Sequence, residues 1–185
     1  LHRLAAMMSA SPWLAQYLTQ HPILLDELLD SRVLYAVPHW PSATHELRDQ
    51  LDDARADNEK QMDLLRHFKH THTLRLIAQD LAELLPLETL SDNLSDLAGI
   101  ILGQVLRLAW ETARQPHRAD PRFALIGYGK LGGKELGYAS DLDLVFLYDD
   151  PAPEAPESYA RLAQRINHWL TSTTSAGVLY DVDLR

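Results

Sequence analysis

Two aspartates open an apolar run in Ser140-Asp141-Leu142-Asp143-Leu144-Val145-Phe146. Read as a strand, this segment puts both carboxylates on one face, with their Cα atoms roughly 6.5 Å apart. Leu142, Leu144 and Phe146 point the other way, into a core. Val145 and Leu147 make the rest of the carboxylate face apolar, so burial on both faces is expected beyond Asp143. Two like charges this close resist joint ionisation unless a cation compensates them. Mg²⁺ is a hard cation that takes carboxylate oxygens together with substrate phosphates. The chemistry suggested is a metal-nucleotide site. A D-x-D pair alone would more simply be a solvated strand end. The Leu-Gly-Gly turn upstream makes that reading less economical, because a glycine-rich backbone can approach phosphate oxygens without side-chain clash.

The same glycines admit a second reading. Gly127-Tyr-Gly129-Lys-Leu-Gly132 fits G-x-G-x-x-G after a strand-like segment, and Asp149 stands where a ribose-binding acid would be sought. A dinucleotide fold then needs a helical crossover of a dozen or more residues before the next, parallel strand. Only Gly133 to Ser140 are available, and Gly137 lies among them. The short connection favours antiparallel neighbours and a metal-nucleotide site.

A third acid lies in Val178-Leu-Tyr-Asp181-Val-Asp183-Leu-Arg185. Asp181 and Asp183 share one strand face, and either could stand beside Asp141 and Asp143. Such a trio could bind two metals, or position one metal while the third acid accepts a proton. Spacing does not choose between the two. His67, His70 and His72 cluster on a helical segment. Without a carboxylate at a recognised spacing they read as a solvated helix face rather than a metal site.

The elements that must position these groups divide into two parts. Residues 1–115 read as a helical region, and residues 116–185 as a small α/β core truncated at its C-terminal end. Ser11-Pro12 and His21-Pro22 look like helix starts, the latter followed by Ile23, Leu24, Leu25, Leu28 and Leu29. Val37 to Ser42 reads as a loop, with Ser42 capping a helix through Asp53. Helical spacing of Met62, Leu65, Phe68, Leu74, Ile77 and Leu81 predicts a helix from Asn58 to Leu84. A second is predicted from Leu90 to Arg114. Pro116 to Pro121 is a linker. Phe123 to Ile126 and Asp141 to Tyr148 read as strands. Asp149 to Pro156 reads as a loop. Glu157 to Thr174 reads as an amphipathic helix with Leu162, Ile166, Trp169 and Leu170 inward. Val178 to Arg185 reads as a third strand. The predicted class is α+β.

Composition narrows the function classes. The 185 residues carry a formal net charge of −9, which disfavours nucleic acid as a partner. There are no cysteines, which excludes disulfides and thiolate catalysis and suits a cytoplasmic protein. The most apolar stretch, Leu94 to Trp110, is broken by Ser95, Asp96, Gln104 and Arg107, so no membrane span is expected. The chain begins at Leu1 and stops at Arg185 inside a strand pattern, and reads as a piece of a larger protein.

The segment GYGKLGGKELGYASDLDLVFLYD resembles the signature of the glutamine synthetase adenylyltransferase family. The ending LYDVDLR and the opening LHRLAAMMSASPWLAQYLTQHPILLDELLD are similar to that family's C-terminal, adenylylating half. Tyr128 and Leu136-Gly137-Tyr138 match that half better than its adenylyl-removing counterpart. The resemblance implies a nucleotidyltransferase core of the polymerase-β type behind a helical region. It implies Asp141, Asp143 and Asp183 as metal-binding and catalytic carboxylates. It also implies Gly132 and Gly133 as the turn facing the phosphates, and a hydroxyl from Ser140. Lys130 could contact phosphate or stand as a solvated loop lysine.

The implied reaction moves AMP from ATP to a tyrosine hydroxyl of glutamine synthetase, with Mg²⁺ as cofactor and pyrophosphate as the leaving group. It down-regulates nitrogen assimilation. The family's regulators are a PII signalling protein and glutamine. The alternatives are phosphorolytic removal of AMP and an incomplete fragment that only binds partners.

Overall fold

The computed structural model describes residues 12–20, 22–28, 30–113 and 117–184. Helix α1 spans Pro12–Gln20, a 3₁₀ turn Pro22–Leu28, and α2 Ser31–Leu34. Three longer helices follow: α3 (Trp40–Asp53), α4 (Asn58–Leu81) and α5 (Leu87–Glu111). Strand β1 (Phe123–Gly127), a single turn α6 (Gly129–Gly132), β2 (Leu142–Tyr148), α7 (Ala155–Thr171) and β3 (Val182–Leu184) complete the chain. The class is α+β, with the helical region first and a small mixed sheet behind it. The caps expected at Ser11 and His21, and Leu29, Arg114 and Arg185, lie outside the described residues.

Most helix ends have a local cause. Asp57 caps α4 by accepting the amide of Lys60 at 3.0 Å. That helix ends at Leu81 rather than Leu84, because Glu83 turns left-handed at φ 55°. Ser42 does not cap α3. His39 does, its Nδ1 accepting the amide of Ser42 at 3.3 Å, so the helix starts inside the expected loop, at Trp40. Helix α7 begins at Ala155, with Pro156 in its first turn, where a missing N–H costs nothing.

The sheet order is β1-β2-β3. β1 and β2 are antiparallel, as their short connection requires, with register Phe123↔Tyr148 through Gly127↔Leu144. β2 and β3 are parallel, with Leu142↔Val182, Asp143↔Asp183 and Leu144↔Leu184. A parallel partner needs a crossover, and α7 supplies it. The third strand starts at Val182 rather than Val178, because residues 172–179 are held by side chains of α4 instead of a ladder.

One core joins the two regions. Leu65 of α4, Leu97, Ile101 and Leu108 of α5, Leu142 and Leu144 of β2, and Ile166 and Trp169 of α7 are buried in a single cluster. A smaller cluster packs Leu18, Leu24 and Leu34 on Leu74, Ile77 and Ala78 of α4. The histidine cluster is not a solvated face. His70 and His72 are only 5% and 9% exposed. His72 packs against Phe68 and Trp40, and His70 bonds to Tyr17 and Ala176. The ring nitrogens of His70 find partners inside and His72 packs between aromatic rings, which spacing does not reveal.

Candidate active site

The site is built where β2 begins, against the turn that follows β1. The amide of Tyr128 donates to the carbonyl of Asp143 at 2.9 Å, extending the β1–β2 ladder past Gly127. The chain then folds into α6 rather than an open glycine loop. The amides of Gly132 and Gly133 donate to the carbonyls of Tyr128 and Gly129, at 3.0 and 2.9 Å. Gly129 is left-handed, with φ 53°. A Cβ there would sit 2.2 Å from Asp143 Oδ2, so only glycine leaves this carboxylate in place. A Cβ on Gly132 would sit 2.5 Å from the carbonyl oxygen of Gly127. The turn is therefore pressed against the first residues of β2 by its lack of side chains.

The parallel register places Asp183 directly beside Asp143. Adjacent strands lie about 4.8 Å apart, which brings two carboxylates of one face within reach of a shared cation. Asp181 lies two residues earlier, just ahead of β3, its carbonyl accepting the amide of Leu142 at 2.9 Å. The register thus sets Asp183 opposite Asp143 and leaves Asp181 on the side of Asp141. Asp141 immediately precedes β2 and is exposed; Asp143 is half-buried and Asp183 exposed. The face beyond them is more open than the sequence suggests. Leu147, on the carboxylate face, is 53% exposed, while Tyr148 on the other face packs against Tyr159 of α7.

Lys130, Gly132 and Gly133 are exposed along α6, and the carbonyl of Lys130 accepts the amide of Glu135 at 2.7 Å. The hydroxyl of Ser140 accepts the amide of Gly137 at 3.0 Å and closes the turn leading into Asp141. Among the described residues, no three His, Asp or Glu side chains converge closely enough to hold a metal ion. The pair Asp143 and Asp183 suits a nucleotide-borne Mg²⁺, which is commonly held by one or two carboxylates plus phosphate oxygens. The space kept by Gly129 at Asp143 fits that use. Sequence reasoning counted Gly129 as part of a glycine pattern and missed its contact with Asp143. The signal was present in the tight spacing of Gly129 from the end of β1. Among the described residues no helix is long and apolar enough to cross a membrane.

Known proteins place this geometry in context. The family model for glutamate-ammonia ligase adenylyltransferase matches residues 1–185. A bifunctional glutamine synthetase adenylyltransferase/adenylyl-removing enzyme from Chromobacterium violaceum is 59% identical over 185 residues, covering 100% of this chain and 21% of the relative. The enzyme of that name from Aromatoleum aromaticum is 57% identical, with 100% and 20% covered. That from Neisseria meningitidis serogroup B is 52% identical, with 100% and 21% covered. The chain spans about a fifth of the length of these curated relatives. It belongs to the glutamate-ammonia ligase adenylyltransferase family.

Proposed function

We propose that the enzyme carrying this segment transfers AMP from ATP to a tyrosine hydroxyl of glutamine synthetase, with release of pyrophosphate. The observation that carries the reading is the register pairing of Asp143 with Asp183, next to a glycine turn that presses on Asp143. In this reading residues 116–185 carry the reacting groups and residues 1–115 support them. Asp141, Asp143 and Asp183 are the carboxylates that would hold Mg²⁺ arriving with the nucleotide, the pair Asp143 and Asp183 directly and Asp141 from the turn ahead of β2, and the ion would offset phosphate charge and stabilise the transition state. Asp183 accepts the proton of the tyrosine hydroxyl, whose reference pKa of about 10 keeps it protonated at neutral pH. Gly132 and Gly133 let the backbone approach the phosphates, Ser140 holds the turn, and Lys130 adds a positive charge at its edge. The enzyme acts in the cytoplasm, under PII and glutamine control.

The relatives' names also include removal of the adenylyl group. The rival activity is phosphorolytic, and needs inorganic phosphate instead of ATP.

Calorimetry of ATP with and without Mg²⁺, on this chain and on Asp141→Asn/Asp143→Asn, tests the site. Mg²⁺-dependent binding that disappears in the double variant is expected. Equal binding by both proteins refutes the assignment. In the full-length enzyme, label from ATP appearing on glutamine synthetase supports the transfer. Phosphate-dependent release of AMP from the modified synthetase, without transfer, supports the reverse activity.

A further inference from the structure

Helix α4 buries charged and polar side chains along one stripe, and these grip residues 172–179, which lead into β3. Asp63 accepts the hydroxyls of Thr174 and Ser175. Arg66 is fully buried. Its Nε donates to the carbonyl of Gly177 at 2.7 Å and its Nη2 to that of Ser172 at 2.5 Å. Lys69 Nζ donates to the carbonyl of Leu179 at 2.6 Å and lies 4.0 Å from the centre of the Tyr180 ring. His70 Nε2 donates to the carbonyl of Ala176 at 3.1 Å, since a carbonyl only accepts. The gripped segment has no helix or strand of its own beyond one bridge, Thr174↔Gly177.

Three consecutive residues then fix where β3 starts. The Leu179 carbonyl is held by Lys69, the Tyr180 amide by the Leu170 carbonyl at 3.0 Å, and the Asp181 carbonyl by the Leu142 amide at 2.9 Å. The last two are backbone bonds to α7 and β2. Lys69 is the tether that reaches from the helical region. Over its described residues, Val182–Leu184, β3 pairs with β2 at three positions, and the contacts just ahead of it set where that pairing begins.

We infer that Lys69 is a positioning residue for the proposed transfer: by holding the Leu179 carbonyl it fixes the start of β3 and so the place of Asp183 beside Asp143. The inference rests on the assignment of Asp183 to the site. Without this amine the buried Leu179 carbonyl loses its partner, and the start of β3 is left to the two backbone bonds at Tyr180 and Asp181, which hold it less tightly. A misplacement of 1 Å at a reacting group costs up to about a hundred-fold in rate.

The test uses the full-length enzyme, with Lys69→Met, Lys69→Arg, Asp183→Asn and the double variant Lys69→Met/Asp183→Asn. Lys69→Met is expected to lower kcat about ten- to a hundred-fold while KM for ATP stays within about two-fold. Lys69→Arg recovers most of the loss. The double variant is no slower than Asp183→Asn alone, because Lys69 acts through Asp183. Amide hydrogen exchange of residues 178–184 rises about ten-fold in Lys69→Met, while that of α5 stays as in the parent. Losses that multiply in the double variant, or unchanged exchange at 178–184, overturn the positioning role and leave Asp183 in the site. A wild-type kcat in Asp183→Asn overturns the underlying site assignment instead. Where Lys69→Met does not fold, Thr174→Val/Ser175→Ala loosens the same segment from Asp63. A fall in its kcat with unchanged KM supports the inference, and an unchanged kcat with unchanged exchange at 178–184 overturns it.

Discussion

Replacing Gly129 by alanine attacks the site at one atom. The backbone there has φ 53°, a conformation that costs an L-residue roughly 1–2 kcal/mol. The new methyl would lie 2.2 Å from Asp143 Oδ2, and contacts under 3.0 Å are essentially never seen. One of the two must retreat by about 1 Å, and the carboxylate is the softer partner because Gly129 is fixed at the start of α6. A displacement of that size at a reacting group costs up to about a hundred-fold. In the full-length enzyme Gly129→Ala is therefore expected to lower the transfer rate about ten- to a hundred-fold and to weaken Mg²⁺-dependent ATP binding, with a modest loss of stability. Gly103→Ala is the control. It lies in α5, and a Cβ there meets nothing within 4 Å, so it should bind as the parent does. Calorimetry of ATP with Mg²⁺ on the full-length enzyme measures both. If Gly129→Ala and Gly103→Ala both bound Mg·ATP with parental affinity, the reasoning that ties Asp143 to the nucleotide would be wrong.

Other perturbations test the supports. Arg66→Ala removes the donor shared by the carbonyls of Gly177, Ser172 and Met62, and should cost at least about 3 kcal/mol in denaturant unfolding. A loss below about 1 kcal/mol would mean that water replaces the guanidinium freely. Tyr159 is buried, accepts the Arg122 amide at 2.9 Å and donates to Asp150 at 2.8 Å, so Tyr159→Phe should cost about 1–3 kcal/mol without changing Mg²⁺ dependence. Burial depresses the Lys69 amine from 10.5 to about 8, with Asp181 opposing and Arg66 adding to the effect. Below pH 8 the amine is charged in both states and its burial penalty is fully present. Between about 8 and 10.5 the unfolded chain binds more protons, so stability should rise with pH by up to about 3 kcal/mol relative to Lys69→Met. Parallel stability curves for the two proteins across that window would refute this sign.

Period-two alternation was enough to put Leu142 and Leu144 on the buried face and Asp143 on the other, because it depends only on local geometry. The antiparallel pairing of β1 and β2 followed from the short connection through Gly133 to Ser140. The neighbours of Asp181 and Asp183 did not follow, since both share a face and only the register with β2 sets Asp183 opposite Asp143. That register is set by contacts from α4, whose residues lie more than a hundred positions upstream. The burial of Arg66 and His70 was illegible for the same reason. Polar residues at helical spacing read as a wet face until the carbonyls they satisfy are known, and those belong to residues 172–177. His39 displaced Ser42 as a cap because an imidazole nitrogen accepts an amide as well as a hydroxyl oxygen does.

Helix α4 therefore has two kinds of buried surface. Leu65, Leu74 and Ile77 supply core packing, which holds the helix against its neighbours in either cluster. Asp63, Arg66, Lys69 and His70 add little hydrophobic stabilisation, and their desolvation is costly unless every polar atom finds a partner. Leucine or methionine on that stripe would pack more cheaply, but could not hold carbonyl oxygens of a segment without a ladder. The cost is offset where a specific backbone path is needed, and the path fixed here ends at Asp183. Asp143 is held differently, by the Tyr128 amide and the close approach of Gly129. Two carboxylates far apart in sequence are thus aligned by two independent supports, so a change in α4 should move Asp183 without disturbing Asp143.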